Sequence, residues 1–153
     1  MADTPTIRPV ARGDHAQWLP LWEGYNLFYE RVGPAAIPSE VTQATWDRFF
    51  DAYEPMHALV AERNGRLIGL THYLYHRTTS AYAPFCYLQD LFTSRDARGQ
   101  GVGRALIEGV YAEARRAGSP RVYWQTHETN ATAMRLYDAV GDKSGFVVYR
   151  KAL

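Results

Sequence analysis

The chain has 153 residues, a formal net charge of +1 and a single cysteine, Cys86. This length suits one domain with a substantial core. The near-zero charge gives no general attraction to nucleic acid or to a membrane surface, and no apolar run approaches the ~20 residues that span a bilayer. The lone cysteine fits a reducing compartment, and residues 1–5 lack the pattern of a secretory signal. We therefore expect a single domain over residues 1–153, located in the cytoplasm, with neither nucleic acid nor membrane as a partner.

The pattern of apolar residues predicts a mixed sheet flanked by helices. Strand segments alternate or are rich in β-branched and aromatic residues, helical segments carry an apolar stripe, and Asn64-Gly65 is a strong hairpin signal. The predicted strands are 6–10, 56–62, 67–75, 87–93, 121–126 and 146–150, and the predicted helices begin near residues 13, 39, 102 and 130. The order β-α-α-β-β-β-α-β-α-β indicates an α/β (α+β) fold.

The first predicted helix has an aromatic face. Trp18, Trp22, Tyr25 and Tyr29 recur at helical spacing. The tryptophans are interpreted as core residues, whereas Tyr25 and Tyr29, nearer the end of the helix, are candidates for a substrate-facing wall. Cys86 is interpreted as a small buried strand residue rather than a nucleophile.

A glycine-rich run joins the fourth predicted strand to the third helix. The run is Arg98-Gly99-Gln100-Gly101-Val102-Gly103-Arg104. The first amides of a helix have no internal acceptor, and the helix dipole adds partial positive charge, so a helix start attracts anions. Glycines remove the Cβ atoms that would hold a phosphate away from those amides. The run therefore predicts either a pyrophosphate cradle or a tight strand-to-helix turn that needs glycine for its backbone alone.

Two other phosphate-binding motifs fit this run poorly. A dinucleotide-binding turn needs Gly-x-Gly-x-x-Gly and an acidic residue about 20 positions later at the end of the next strand. Here the spacing is Gly99-x-Gly101-x-Gly103, and residues 121–126 end without an acid. A P-loop needs Gly-Lys-Ser/Thr, which is absent from the run. Neither a Rossmann domain nor a P-loop NTPase is expected.

Several motifs in order resemble the GNAT (GCN5-related) N-acetyltransferase superfamily. Arg98-x-x-Gly101-x-Gly103 resembles its acyl-CoA-binding motif and follows the fourth strand, where that family places it. Asn130, Tyr137 and Gly141 resemble its Asn…Tyr…Gly pattern. The runs 87–92 and 122–130 resemble the diamine (spermidine) acetyltransferases and, most closely, the small acetyltransferases described as acting on histones, polyamines and some D-amino acids.

The resemblance implies a GNAT fold, with a central mixed sheet of six to seven strands and about four helices, and acetyl-CoA as co-substrate. It implies that the acetyl group moves to a primary amine by direct attack in a ternary complex. It further implies that Asn130 bonds the pantetheine arm and that Tyr137 donates a proton to the departing sulfur. The remaining cofactor-binding residues would be Leu91, Phe92 and Thr93 beside the arm, and Arg98, Gly99, Gln100, Gly101, Val102, Gly103 and Arg104 around the pyrophosphate.

The acceptor side is less defined by the sequence. The polyamine-type relatives carry a glutamate where this chain has Gln89, and an amide cannot act as that base. Gln89 and Asp90 are candidate substrate-binding residues, although strand alternation could turn Asp90 to the other face. Four further residues are alternative bases, although a strand histidine is more often structural: His72, His76, His127 and Glu128. The spacing of His72 and His76 predicts no metal site, because no third ligand accompanies them.

Two function classes remain open at this point. The first is an N-acetyltransferase acting on a small amine, a polyamine, an amino acid or a protein lysine. The second is a catalytically silent acyl-CoA-binding module with a regulatory role; the presence of both Asn130 and Tyr137 favours the enzyme. We also expect a homodimer, because an alternating terminal strand over residues 146–151 can pair with a neighbouring chain.

Overall fold

The structure, a computed structural model, describes residues 3–153. It contains five strands, β1 (Thr6–Pro9), β2 (Met56–Arg63), β3 (Arg66–His76), β4 (Phe85–Thr93) and β5 (Val122–Tyr123). Its α-helices are α1 (His15–Phe28), α2 (Ser39–Arg48), α3 (Val102–Arg116) and α4 (Ala131–Val140). Within residues 3–153, no helix is both long and apolar enough to cross a bilayer.

The five strands form one sheet in the order β1-β2-β3-β4-β5. The first four strands are antiparallel neighbours, whereas β5 runs parallel to β4. A parallel pair needs a crossover connection, and α3 provides it. The predicted hairpin between β2 and β3 is confirmed, because Asn64 and Gly65 both have positive φ, at 52° and 75°. These are the backbone angles that a two-residue hairpin turn requires.

Each face of the sheet is covered by helices. On one face, the apolar stripe of α3 packs against residues of β2, β3 and β4; its buried members are Val102, Leu106, Ile107, Val110 and Ala114. Cys86 belongs to the same core, is fully buried, and has its thiol pKa raised to about 12 by that burial. This confirms the interpretation of Cys86 as a buried core residue, since a neutral thiol is a poor nucleophile.

The opposite face is covered by α1 and α2 through an aromatic core. Trp18, Trp22, Trp46 and Tyr25 are all buried there, together with Val60 and Leu70 from the sheet. The rings of Trp18 and Trp46 lie 4.9 Å apart and those of Trp22 and Tyr25 lie 5.3 Å apart. Large aromatic side chains dominate the energetics of such a core. The two tryptophans of α1 are therefore core residues, as predicted.

The predicted strand number of six to seven is wrong for residues 3–153, which contain five. The predicted strand 121–126 is reduced to Val122–Tyr123, and residues 146–150 form no strand. Both segments have strand-like composition, but a strand is stable only when its backbone groups are paired in a ladder. The described part of the chain supplies no partner for residues 124–126 or 146–150.

Candidate active site

A β-bulge at Gln89 determines which side chains face the candidate site. Tyr73 pairs with Leu88, and the preceding His72 pairs with Asp90, so Gln89 is an extra residue in β4. A bulge resets the alternation of a strand. Leu88 therefore packs with the α3 core, while Asp90 lies on the α1 face beside His72. The alternation that could have turned Asp90 away is therefore interrupted, and the Asp90 carboxylate faces the cavity, whereas Gln89 is exposed at the bulge.

The Asp90 carboxylate is held by a buried hydrogen-bond chain. Trp18 Nε1 lies 3.0 Å from His72 Nε2, and His72 Nδ1 lies 2.9 Å from Asp90 Oδ2. An indole N–H can only donate, so His72 Nε2 must be the acceptor. His72 therefore carries its proton on Nδ1 and donates it to Asp90. Both ring nitrogens are occupied, which makes His72 a residue that orients Asp90 rather than an open base.

Tyr25 lies next to the same carboxylate. Burial, together with the charge of Asp90 and a hydrogen bond to it, raises the pKa of Tyr25 above its usual value. The ring of Tyr25 lies 4.9 Å from that of Tyr29, which follows the end of α1 and is 41 % exposed. The two predicted wall residues therefore lie side by side, with Tyr25 on Asp90 and Tyr29 towards solvent.

Arg31 brings a positive charge to this region. Its guanidinium lies 5.7 Å from the centroid of the Tyr25 ring and 5.4 Å from that of Tyr29, and its Nη1 donates to Asn26 Oδ1 at 3.1 Å. These contacts fix the direction of the side chain while leaving other guanidinium N–H groups for further acceptors. Arg31 was not among the predicted site residues, because it follows the helix and belongs to no motif.

A cavity of about 260 Å³ lies between α1, α2 and the bulge. Asp90 and Arg31 both line it, so groups of opposite charge face one space. The complete lining is Trp22, Arg31, Ile37, Thr45, Met56, His72, Tyr73, Leu74, Gln89 and Asp90. An apolar cavity with a few convergent polar groups is the usual form of a small-molecule site.

The glycine-rich loop has the backbone form of an anion cradle. Gly99 and Gly101 have φ values of 74° and 79°, the left-handed region that favours glycine. Ala105 is the first residue of α3 whose N–H bonds a carbonyl of the turn, that of Gly101 at 3.0 Å. The amides of residues 102–104 are therefore left for an external acceptor. Gly103 approaches α4 closely, since a Cβ there would lie 3.3 Å from Leu136 Cδ2.

The polar side chains of the loop mostly stabilise the loop itself. Arg98 Nε donates to the carbonyl of Thr93 at 3.2 Å, and Gln100 Oε1 accepts from Arg63 at 2.7 Å. Arg104 forms an exposed pair with Glu108 at 3.1 Å. Val102 is buried in the α3 core, so it presents only its backbone amide to a ligand.

The second half of β4 has an open edge. β5 pairs with β4 only at Cys86 and Tyr87, so Leu91, Phe92 and Thr93 have no strand partner on that side among the described residues. Backbone groups of an open edge can bond an extended amide-containing ligand. The Phe92 ring instead lies towards α1, where a Cβ on Gly24 would meet it at 2.8 Å.

Asn130 lies at the start of α4, and Tyr137 lies within the same helix. Asn130 is the N-cap residue, and its Nδ2 donates to Thr126 Oγ1 at 3.2 Å. Tyr137 packs edge-on against Trp124, with ring centroids 5.5 Å apart. Burial, with a smaller contribution from Tyr29, raises the pKa of Tyr137. The Tyr137 hydroxyl therefore keeps its proton at neutral pH and is available as a donor.

The arrangement thus combines an amide cradle, an open strand edge and a protonated tyrosine on one side, and a charged cavity on the other. The family model for the acetyltransferase (GNAT) family matches residues 18–141. The chain belongs to the acetyltransferase (GNAT) family. This confirms the resemblance found in the sequence. The protein is an acetyl-CoA-dependent N-acetyltransferase, and the left-handed glycines, free amides and open β4 edge fit that co-substrate.

Two curated relatives align with nearly the whole length of this chain. The D-amino-acid N-acetyltransferase HPA3 of Saccharomyces cerevisiae is 35% identical over 151 residues, which span 97% of this chain and 91% of that protein. An uncharacterized N-acetyltransferase of Bacillus subtilis, YhfO, is 32% identical over 146 residues, with 94% of both chains covered.

A solved structure shows the same fold at low identity. The aminoglycoside acetyltransferase AAC(6')-Iy, in complex with the bisubstrate analogue CoA-S-monomethyl-acetylneamine, superposes with a TM-score of 0.81 at 18% identity. The match covers 99% of this chain and 100% of that chain. At 18% identity, this similarity shows that the two proteins share a fold and says nothing about which acceptor this chain uses.

We predict that Gly101→Ala weakens acetyl-CoA binding about tenfold. A side chain at φ 79° costs about 1–2 kcal/mol in the left-handed region, and relaxing that strain moves the amides of the cradle. The dissociation constant is measured by isothermal titration calorimetry. Gly13→Ala is the control, because its Cβ would meet no heavy atom within 4 Å and its φ is not left-handed. Equal affinities for the two variants would contradict the cradle.

Proposed function

We propose that this GNAT enzyme acetylates the α-amine of an amino acid. The observation that carries the proposal is the placement of Asp90 and Arg31 around one cavity. An amino acid is a zwitterion, with an ammonium group for Asp90 and a carboxylate for Arg31, and an arginine fork suits a carboxylate. The similarity to a D-amino-acid N-acetyltransferase supports the same class of acceptor. A polyamine or a lysine side chain has no carboxylate for Arg31.

Asp90 and its neighbours would hold the acceptor. The Asp90 carboxylate would receive the ammonium group of the acceptor, while the Trp18–His72 chain and the neighbouring Tyr25 hold that carboxylate in place. Trp22, Ile37 and Met56 offer apolar contact to an amino-acid side chain. Orientation of this kind converts two reactants into one pre-assembled pair and lowers the barrier entropically.

The residues of α3, β4 and α4 would hold the co-substrate. The amides of residues 99–104 and Arg98 would receive the pyrophosphate, the open backbone edge at Leu91, Phe92 and Thr93 would pair with the pantetheine amides, and Asn130 would bond the same arm. When bound, acetyl-CoA supplies the acetyl group in a ternary complex. The acceptor, held by Asp90 as an ammonium group, would first lose one proton to solvent, because only the neutral amine can attack the thioester carbonyl. The C–S bond would break as the amide bond forms, and the nitrogen would release its second proton to solvent. Tyr137 would donate its phenolic proton to the departing sulfur, because its raised pKa keeps that proton in place.

Three further expectations remain part of the proposal. Residues 1–153 would form a single GNAT domain, and its location would be the cytoplasm, supported by the lone buried thiol of Cys86. The active form would be a homodimer. Support for the dimer comes from the apolar residues 146–149, which are 68–92 % exposed in the single chain.

The acceptor class is tested by thiol release from acetyl-CoA with matched compounds. We expect release with an α-amino acid and a KM at least tenfold higher for the amine that lacks only the carboxylate. Arg31→Gln should raise the KM for the amino acid to the KM that the wild-type enzyme has for the amine without the carboxylate. Arg116→Gln, a surface change outside the cavity, should leave the KM for the amino acid unchanged. Equal KM values for amino acid and amine would refute the amino-acid proposal. Absence of release with every amine would favour a silent acyl-CoA-binding module.

The role of Tyr137 is tested by Tyr137→Phe. Loss of a general acid typically lowers the rate on the order of 10²–10⁴-fold. The kcat of Tyr137→Phe should therefore decrease by up to that factor, while the dissociation constant of acetyl-CoA stays unchanged. Because the Tyr137 pKa is raised above its usual value of about 10, wild-type kcat should not decline through loss of this proton below pH ~10. Tyr53→Phe, at a residue that is 99 % exposed, is the control. Unchanged turnover in Tyr137→Phe would exclude the assignment.

A further inference from the structure

The helix α1 ends in a cap that has a glutamate where glycine is usual. The backbone N–H of Glu30 donates to the carbonyl of Leu27 at 3.0 Å, and that of Arg31 donates to the carbonyl of Asn26 at 2.9 Å. These two bonds define the Schellman motif, whose left-handed residue is most often glycine. Glu30 occupies that position with a φ of 58°.

The helix α3 ends in the same motif, and there the left-handed residue is a glycine. The N–H of Gly118 donates to the carbonyl of Arg115 at 3.0 Å, and that of Ser119 donates to the carbonyl of Ala114 at 2.9 Å. Gly118 has a φ of 73°. A Cβ atom makes this conformation unfavourable, and residues held in it are concentrated at sites that bind ligands. The cap of α1 thus keeps a strained residue directly before Arg31.

Asn26 binds Arg31 a second time, through its side chain. Asn26 is only 8 % exposed, and its Oδ1 accepts from Arg31 Nη1 at 3.1 Å. Its Nδ2 donates to the carbonyl of Trp22 at 2.9 Å. A carbonyl oxygen can only accept, so the bond to Trp22 fixes the orientation of the amide and directs Oδ1 to the guanidinium. One buried residue therefore holds both the backbone and the side chain of Arg31.

A neutral amide holds Arg31 without offsetting its charge. Among residues 3–153, no carboxylate forms an ion pair with Arg31. A carboxylate in the place of the Asn26 amide would compete with an anionic ligand for the same guanidinium. The bond to Asn26 uses one of the five N–H donors of Arg31 and leaves the others for a ligand.

We propose that Asn26 positions Arg31 for the carboxylate of the acceptor, and this inference rests on the amino-acid acceptor proposed above. A mobile arginine side chain would have to be ordered when the acceptor binds, which costs affinity. The cap carbonyl and the side-chain amide of Asn26 order Arg31 before the acceptor arrives. Asn26 is not part of the cavity lining, so it acts through Arg31 and makes no contact with the acceptor.

The role of Asn26 is tested by Asn26→Leu, which removes Oδ1 and nearly keeps the size of the side chain. The carbonyl of Trp22 still has the helical backbone N–H of residue 26 as a donor. The KM for the amino acid should rise about three- to tenfold, the effect expected of ordering one long side chain. The kcat, and the KM for the matched amine that lacks only the carboxylate, should stay within about twofold of wild type. Gln43→Leu, which removes an exposed amide from α2, is the control and should change neither KM.

The two KM values also separate this inference from the proposal on which it rests. A KM that is unchanged for the amino acid in Asn26→Leu, or one that rises equally for amino acid and amine, would refute the role of Asn26 and leave the amino-acid acceptor standing. Equal KM values for amino acid and amine in the wild-type enzyme would refute both.

A double-mutant cycle shows whether Asn26 acts through Arg31. In the background of Arg31→Gln, Asn26→Leu should raise the KM for the amino acid no further, because the group that it positions is already gone. A further rise by the same factor as in the wild-type background would refute the positioning role.

The cap is tested by two substitutions of Glu30. Glycine adopts the left-handed conformation readily, whereas the β-branched valine opposes it. The KM for the amino acid should therefore be at least threefold higher in Glu30→Val than in Glu30→Gly, with the same KM for the amine in both. Equal KM values for the amino acid in the two variants would refute the contribution of the cap to the position of Arg31.

Discussion

The extra residue in β4 is the constraint on which the candidate site depends. Without the bulge at Gln89, regular alternation would direct Asp90 to the same face as Leu88, into the α3 core. A carboxylate in that apolar core would be unpaired and costly. With the bulge, Asp90 meets the Trp18–His72 chain on the opposite face and reaches the cavity. One inserted residue therefore decides that the Asp90 carboxylate faces the cavity and not the α3 core.

The two halves of the site use different kinds of interaction. The proposed co-substrate half is made mostly of backbone groups, namely the amides that follow two left-handed glycines and the open edge of β4. The proposed acceptor half is made of side chains, with Asp90 held by His72 and Arg31 held against the Tyr25 ring. Backbone recognition tolerates substitution, which is consistent with one fold serving acceptors as different as those of the relatives.

The sequence predicted the features that are local in the chain and missed those that depend on pairing. The strand-to-helix turn at the glycine run, the apolar stripe of α3 and the Asn64-Gly65 hairpin are each encoded within a few residues, and the structure confirms all three. The orientation of Asp90 was left open, because a bulge is set by register against β3 and has no composition signal of its own. Arg31 was missed because its importance comes from a cavity built by distant segments. The strands at 124–126 and 146–150 were overpredicted within one chain, because strand propensity reports that a segment can pair and not where its partner lies.

The central claim is that Asp90 binds the ammonium group of the acceptor, and Asp90→Asn tests it most directly. The amide keeps an oxygen for His72 and the size of the side chain, but it removes the charge. Steady-state kinetics with an accepted amino acid should show a KM increase of at least tenfold, with an unchanged dissociation constant for acetyl-CoA. Asp47→Asn, an exposed change on α2, should leave both values as they are. An unchanged KM in Asp90→Asn would contradict the account.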